Sequence, residues 1–262
     1  MIDHQAHAEV AGRFGRAAER YDDAAGVQRD ICNRLSLLAD GQPPAEGWLL
    51  DAGCGTGFGV GHLRARFPDR RVLGLDLAPQ MLARLSDHHP HAWRAAADME
   101  ALPLVSGCAG GIWSSLSLQW CDPGQVFREF ARVLAPGGVV WLATLGPRTF
   151  HELRHAFQGV DAARHVLECP ARQSVVAAAS AQALSLVTAE EHLLSATAPN
   201  LAGLLRDIKA VGAQGVGAGR RRGMLGRDAW REIEARYERF RRADGAVAIS
   251  YDAQLLILRK SS

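Results

Sequence analysis

Lysine is almost missing from this chain: it stands only at positions 209 and 260, and arginine supplies the other positive charges of 262 residues. Any anion site is therefore expected to use a forked donor that stays charged, rather than an amine that titrates. An excess of one charge is missing too. The formal charge is +2, which excludes a global basic field for nucleic acid. Cysteine occurs at 32, 54, 108, 121 and 169, an odd count with no CxxC pair. That argues against a disulfide framework and a zinc ribbon, and for reduced thiols. No segment approaches the roughly 18 uninterrupted apolar residues of a membrane span, and residues 1–16 hold no continuous apolar stretch. A cytoplasmic location without membrane attachment is expected. His88, His89 and His91 cluster beside Pro90 with no matching Cys or acidic set, so a solvated loop is expected and no metal.

What is present is an alternation of strands and helices. Residues 5–40 read as helical, with Val10, Phe14, Ala17, Ala18 and Tyr21 near helical spacing, then Ile31, Leu35 and Leu38. The breaker GQPPAEG (41–47) precedes a first strand, WLLDAG (48–53). Helical periodicity over 60–67 leads to a second strand at 71–77 and a helix at 81–88. A buried strand follows at 110–118, then an amphipathic helix at 124–134 that APGG is expected to stop, then a strand at 139–145. Later helices are expected at HELRHAF, VVAAASAQAL, 200–211 and 227–242, and strands within 185–197 and 247–259. Such alternation implies an α/β fold with a doubly wound, parallel sheet.

The segment LLDAGCGTGFG (49–59) carries the chemistry. A strand ends at Asp51, glycines follow at 53, 55 and 57, and a helix begins. Glycines at such a turn let a ligand approach the backbone closely. Dinucleotide enzymes use a related GxGxxG turn, where a helix N-terminus holds a pyrophosphate. Here the spacing is GxGxG with an acid before it. A carboxylate there repels a pyrophosphate but suits the ammonium and sulfonium of S-adenosylmethionine. Asp76 ends the second strand, where a carboxylate can accept from both ribose hydroxyls. In AADMEALPL (96–104), Asp98 can accept from the adenine amine and the backbone of Met99 can face the adenine edge. Leu77 and Met81 are candidate walls, and Ser115, within the strand at 110–118, completes the expected cofactor set.

Together these motifs resemble the class I S-adenosylmethionine-dependent methyltransferases, over roughly residues 48–145. Further segments narrow the resemblance: RFGRAAERYDDAAGVQRDICNRL (13–35), SLSLQWCDP (115–123), EFARVLAPGG (129–138), TLGPRTFHELRHAF (144–157), VDAARHV (160–166), DIKAVGA (207–213) and ISYDAQLLILRK (249–260). These resemble the malonyl-[acyl-carrier protein] O-methyltransferases of biotin synthesis. The resemblance implies a Rossmann-like fold whose mostly parallel seven-stranded sheet is flanked by helices. It implies an N-terminal helical lid (1–40), a core (41–198), a helical insertion between the last two strands (199–243) and a final strand (244–262). It also implies S-adenosyl-L-methionine as cofactor, S-adenosyl-L-homocysteine as product, and a malonyl thioester on an acyl-carrier protein or coenzyme A as substrate.

A malonyl carboxylate is already ionised at neutral pH, so no general base is required. Methyl transfer then needs alignment and a dry pocket, because an anion meets a sulfonium and charge is neutralised. A cation is expected to hold the carboxylate. Candidates for positioning it are Tyr21, Gln119, Trp120, Arg148 and Lys209. Arg220, Arg221 and Arg222, in a glycine-rich loop, are candidates for docking an acidic carrier. Alternatives are a methyltransferase for a free polycarboxylate such as aconitate, one for a carbon or nitrogen nucleophile, a nicotinamide oxidoreductase, and a non-catalytic scaffold.

Overall fold

The computed structural model describes residues 4–160, 166–213 and 226–261. Ten α-helices and seven strands are seen among them. The sheet has the order β3-β2-β1-β4-β5-β7-β6. Its strands are β1 (Trp48–Ala52), β2 (Val72–Asp76), β3 (Trp93–Ala96), β4 (Ala109–Ser115), β5 (Leu134–Leu145), β6 (Leu184–Ala198) and β7 (Val247–Lys260). Strands β3 to β5 in that order are parallel, and β7 runs antiparallel to both β5 and β6. The chain crosses back at β1, so the sheet opens a crevice at the carboxyl ends of β1 and β4, where open α/β sheets bind ligands.

Both faces of the central strands are covered, which accounts for their nearly continuous apolar sequences. Leu49, Trp113, Trp141, Leu255 and Ile257 point to one face, and Leu50, Ile112, Val140, Leu256 and Leu258 to the other. The first face is covered by α3 (Gly26–Leu38), α4 (Phe58–Arg66) and α5 (Pro79–His88). The second is covered by α6 (Pro123–Val133) and α8 (Arg172–Ser180). Asp122 caps α6, its Oδ1 accepting from Gly124 N at 2.8 Å and Gln125 N at 3.2 Å; Pro123 then needs no donor partner at the first helical position.

Four expectations change. The helical region 5–40 is three helices: α1 (His4–Ala17), α2 (Tyr21–Ala24) and α3. Helices α1 and α2 lie over the crevice. Ile31 and Leu35 of α3 are fully buried in the main core, so that helix belongs to the body. The helix stops at Val133, just before APGG, as expected, but the strand read from 139 starts at Leu134. Leu134 already pairs with Ala109, and the chain bulges before Val139 resumes pairing opposite Gly111. The short strand β3 went unread because it is an edge whose Trp93 is 63% exposed, without apolar alternation. In the insertion, α9 (Leu201–Ala210) and α10 (Arg227–Tyr237) are present, and α10 belongs to the body. It packs on α7 (His151–Phe157), Ile233 and Tyr237 are buried in the main core, and the Tyr237 hydroxyl donates to Ala248 O at 2.7 Å. No helix of the described residues is long and apolar enough to cross a membrane.

Candidate active site

The glycine turn is pinned to the sheet: the amides of Gly53 and Cys54 both donate to Leu75 O, at 2.8 and 2.9 Å. A Cβ on Gly53 would lie 2.1 Å from Ser117 Oγ, so no side chain fits there. A Cβ on Gly55 would meet nothing within 4 Å, because that face of the turn borders the crevice. Gly57 does not line the crevice; it lies against His89 and Leu85 and serves helix packing.

Three cavities meet in the crevice. The first is lined by Gly53, Gly55, Asp76, Leu77, Met81 and Met99, together with Ser115 and Trp120. The second, deeper one reaches Asp51 beneath the glycine turn and shares Gly53, Gly55 and Ser115 with the first. The third lies towards β7 and is lined by Gln28, Gln119, Trp120, Thr149, Cys169 and Tyr251 among others. Tyr21 and Leu116 border all three. Leu116 holds a positive φ of 57° at the end of β4, a strained conformation for a branched residue. Its amide donates to Ala143 O at 2.8 Å, and its carbonyl accepts from Gln119 Nε2 at 2.7 Å. Gln119 therefore holds the junction in shape.

The two buried acids are prepared for a ligand. Asp51 is 2% exposed, and the Val60 amide donates to it, but its Oδ2 has no hydrogen-bond partner. Burial pushes its carboxyl up to about 8. Asp76 accepts from Gly55 N at 2.9 Å on one oxygen and from Ala78 N at 2.8 Å on the other. Burial raises its pKa above the usual carboxylate value despite these bonds. Each oxygen keeps a second lone pair for a hydroxyl. An unpartnered carboxylate oxygen, a pair of oxygens with spare capacity and an open face at Gly55 fit the ammonium, ribose and backbone approach of S-adenosylmethionine.

Asp98 stands outside the lining. Its Oδ1 accepts from Glu100 N at 2.8 Å, and its Oδ2 lies 3.0 Å from His7 Nδ1 of α1. His7 Nε2 is 3.2 Å from Glu100, and neither contact has hydrogen-bond geometry. On the other side, Asp22 of α2 accepts from Thr56 Oγ1 at 2.6 Å and lies 3.4 Å from His88. His88 thus ends α5 beside the glycine turn instead of lying in a solvated loop. No metal-binding cluster occurs among the described residues. The first two helices are held at both ends of the cavities, and Phe14 and Tyr21 cover them between. Adding S-adenosylmethionine is expected to slow amide hydrogen exchange across 4–24. Identical exchange with and without it would show that these helices are no lid.

The candidates for holding a carboxylate divide. Tyr21, Gln119 and Trp120 border the third cavity, and the Trp120 indole N–H is buried without a partner. Arg148 is not among the residues that line it: its guanidinium pairs with buried Asp252 of β7 at 2.7 Å. Lys209 lines an external groove. Both corrections have one cause, since sequence shows which loops reach a crevice but not which way a long side chain turns. Arg220, Arg221 and Arg222 lie outside the described residues. Gln28, Thr149 and Tyr251 were missed, because they come from a helix, a turn and a strand whose patterns announce no chemistry.

Residues 50–142 match a family model described as a methyltransferase domain. A malonyl-[acyl-carrier protein] O-methyltransferase of Dechloromonas aromatica (strain RCB) is 43% identical over 97% of this chain and 94% of its own length. A relative of the same name from Laribacter hongkongensis (strain HLHK9) is 41% identical over 93% of this chain and 86% of its own. A biotin biosynthesis bifunctional protein, BioHC, of Teredinibacter turnerae (strain ATCC 39867 / T7901) is 33% identical over 96% of this chain and 46% of its own. Among solved structures, geranyl diphosphate C-methyltransferase of Streptomyces coelicolor A3(2), with S-adenosyl-L-homocysteine bound, shares the fold at a TM-score of 0.53. It is 19% identical, with 87% of this chain and 75% of that one covered. The chain belongs to the family of malonyl-[acyl-carrier protein] O-methyltransferases, enzymes that use S-adenosylmethionine on a class I methyltransferase fold.

Proposed function

We propose that this enzyme esterifies the free carboxylate of a malonyl thioester carried by an acyl-carrier protein, as a step of biotin synthesis in the cytoplasm. The observation that carries the reading is the lining of the third cavity. Among the described residues its polar groups are hydroxyls, amides, an indole and a thiol, with no Lys, Arg, His, Asp or Glu. Burial raises Tyr21 and Tyr251 above the usual phenol value and the Cys169 thiol to about 11, so all three stay protonated at neutral pH. Among the described residues such a lining offers no base to activate an alcohol or amine, and it suits an acceptor that arrives as an anion.

S-adenosylmethionine, bound along Asp51, Asp76 and Met99, supplies an electrophilic methyl group. The chain's own part is alignment and exclusion of water. Tyr21 and Tyr251 offer hydroxyls that no described residue engages, and Trp120 offers its unpaired N–H. Neutral donors hold a carboxylate without quenching it as a cation would. Phe14, Leu145 and Phe150 line the same cavity and lower its polarity, which favours a step that neutralises charge. The five unbridged cysteines suit a reducing compartment.

Incubation with malonyl-carrier protein and S-adenosylmethionine should add one methyl group by mass spectrometry. Turnover at saturation of both substrates should stay flat from about pH 6 to 8. A steep rise over that range, or methylation of free aconitate alone, would refute the proposal.

A further inference from the structure

The first and ninth helices enclose a concave groove of about 520 Å³ on the outer surface, lined by Arg13, Arg16, Arg20, Arg206 and Lys209 with two alanines between them. Five of the chain's 30 Lys and Arg residues thus meet in one place, in a protein of formal charge +2. Arg13 is buried and pairs with Glu9 at 2.7 Å. Arg16, Arg20, Arg206 and Lys209 are exposed and form no ion pair with any described residue. Glu19 and Asp207 belong to the same stretches of chain but do not line the groove. No acid among the described residues lines the groove; cations gathered in such a concavity repel one another, and an anionic surface relieves that repulsion.

The groove is the back of the acceptor cavity. Arg13 and Arg20 face the groove while their neighbours Phe14 and Tyr21 face the cavity; Ala210 faces the groove and Val211 the cavity. Gly212 sits against Phe14, closing the wall between them. A partner seated in the groove is therefore one thickness of chain from the carboxylate to be methylated. We infer that this groove, between the first and ninth helices, is the docking surface for the acidic face of the acyl-carrier protein. The inference rests on the carrier-bound substrate proposed above and names the surface that receives it. Charge complementarity at an exposed rim governs encounter more than chemistry, so its signature is in KM and in salt dependence.

The test is the triple variant Arg16→Glu, Arg206→Glu and Lys209→Glu, with the milder triple glutamine variant beside it. All three side chains are exposed and form no ion pair with any described residue, so thermal unfolding and S-adenosylmethionine affinity should match wild type. Three substrates are compared: malonyl-carrier protein, malonyl-coenzyme A, which has phosphates but no protein, and malonyl-pantetheine, which has neither. The glutamate variant should raise KM for malonyl-carrier protein about tenfold or more, and the glutamine variant less, with kcat unchanged. The other two KM values should stay within about twofold. Added salt should raise the wild-type KM for the carrier and barely move that of the glutamate variant. An active wild type with unaltered carrier KM in both variants overturns the groove. An equal rise for malonyl-coenzyme A overturns recognition of the carrier surface in favour of phosphate. A wild type that methylates none of the three overturns the substrate reading itself.

Discussion

Replacing Asp51 by asparagine is expected to weaken S-adenosylmethionine binding about 10- to 100-fold, while leaving the empty protein at least as stable as wild type. Asp51 lies beneath the glycine turn with one carboxylate oxygen unpartnered. A hydrogen bond between a buried carboxylate and an ammonium contributes about 1.5–3 kcal/mol, and each 1.4 kcal/mol is about a factor of ten in affinity. Asparagine keeps the shape and the oxygen but loses the charge. The empty protein gains, because the buried carboxyl must hold a proton against its ordinary pKa and asparagine removes that cost. Titration calorimetry and thermal unfolding of the same samples read the two quantities. Wild-type affinity in the variant would mean that the methionine end of the cofactor lies elsewhere.

The same residue makes binding depend on pH, and the sign follows from its environment. Burial raises the Asp51 carboxyl to about 8, so in the empty site the group is largely protonated at neutral pH. Its ionisation opposes folding: the stability it permits is full below the ordinary carboxylate pKa and is lost as pH rises towards 8. Pairing with an ammonium needs the ionised form, so binding expels a proton. Affinity should rise between pH 6 and about 8 and level off above, and asparagine should flatten that rise. Calorimetry in buffers of different ionisation heat counts the protons directly. Turnover at saturating cofactor stays flat over the same range, which separates a binding proton from a catalytic one.

The cofactor half of the site was legible because its chemistry is local in sequence. Asp51, Gly53 and Gly55 lie on one turn, and Asp76 ends the neighbouring strand, so strand order alone brings them together. Gly57 belongs to the same motif yet serves packing, which spacing cannot distinguish. The acceptor half was less legible because it is assembled from distant segments. Gln28, Gln119, Thr149 and Tyr251 come from four elements, and none stands in a pattern that signals chemistry. Arg148 misled because its position after β5 is right while its partner, Asp252, is 104 residues away. Asp98 shows a third limit. The motif puts it at the rim, but the first helix brings His7 to the oxygen that the adenine amine was expected to meet.

The glycines offer the sharpest separation of ligand binding from folding. Gly55 and Gly57 both hold left-handed backbone, with φ of 52° and 106°. Alanine at either pays the strain of that conformation, about 1–2 kcal/mol. Their surroundings differ. A methyl group at 55 would meet nothing within 4 Å and would project where the cavities border the turn. A methyl group at 57 would lie 2.9 Å from His89 Cδ2 and 3.1 Å from Leu85 Cδ1, inside the packing of α5. Gly55→Ala should therefore lower the unfolding temperature only by the backbone strain, and should weaken S-adenosylmethionine binding about tenfold or more by filling its space. Gly57→Ala should do the reverse, with a larger loss of stability and a cofactor affinity within about threefold of wild type once folded. Gly53→Ala, whose methyl would lie 2.1 Å from Ser117 Oγ, should lose both. Thermal unfolding and calorimetry on the three proteins give a pattern that neither quantity gives alone. If Gly55→Ala binds S-adenosylmethionine like wild type, the open face of the turn is not where the cofactor approaches, and the first cavity loses its assignment.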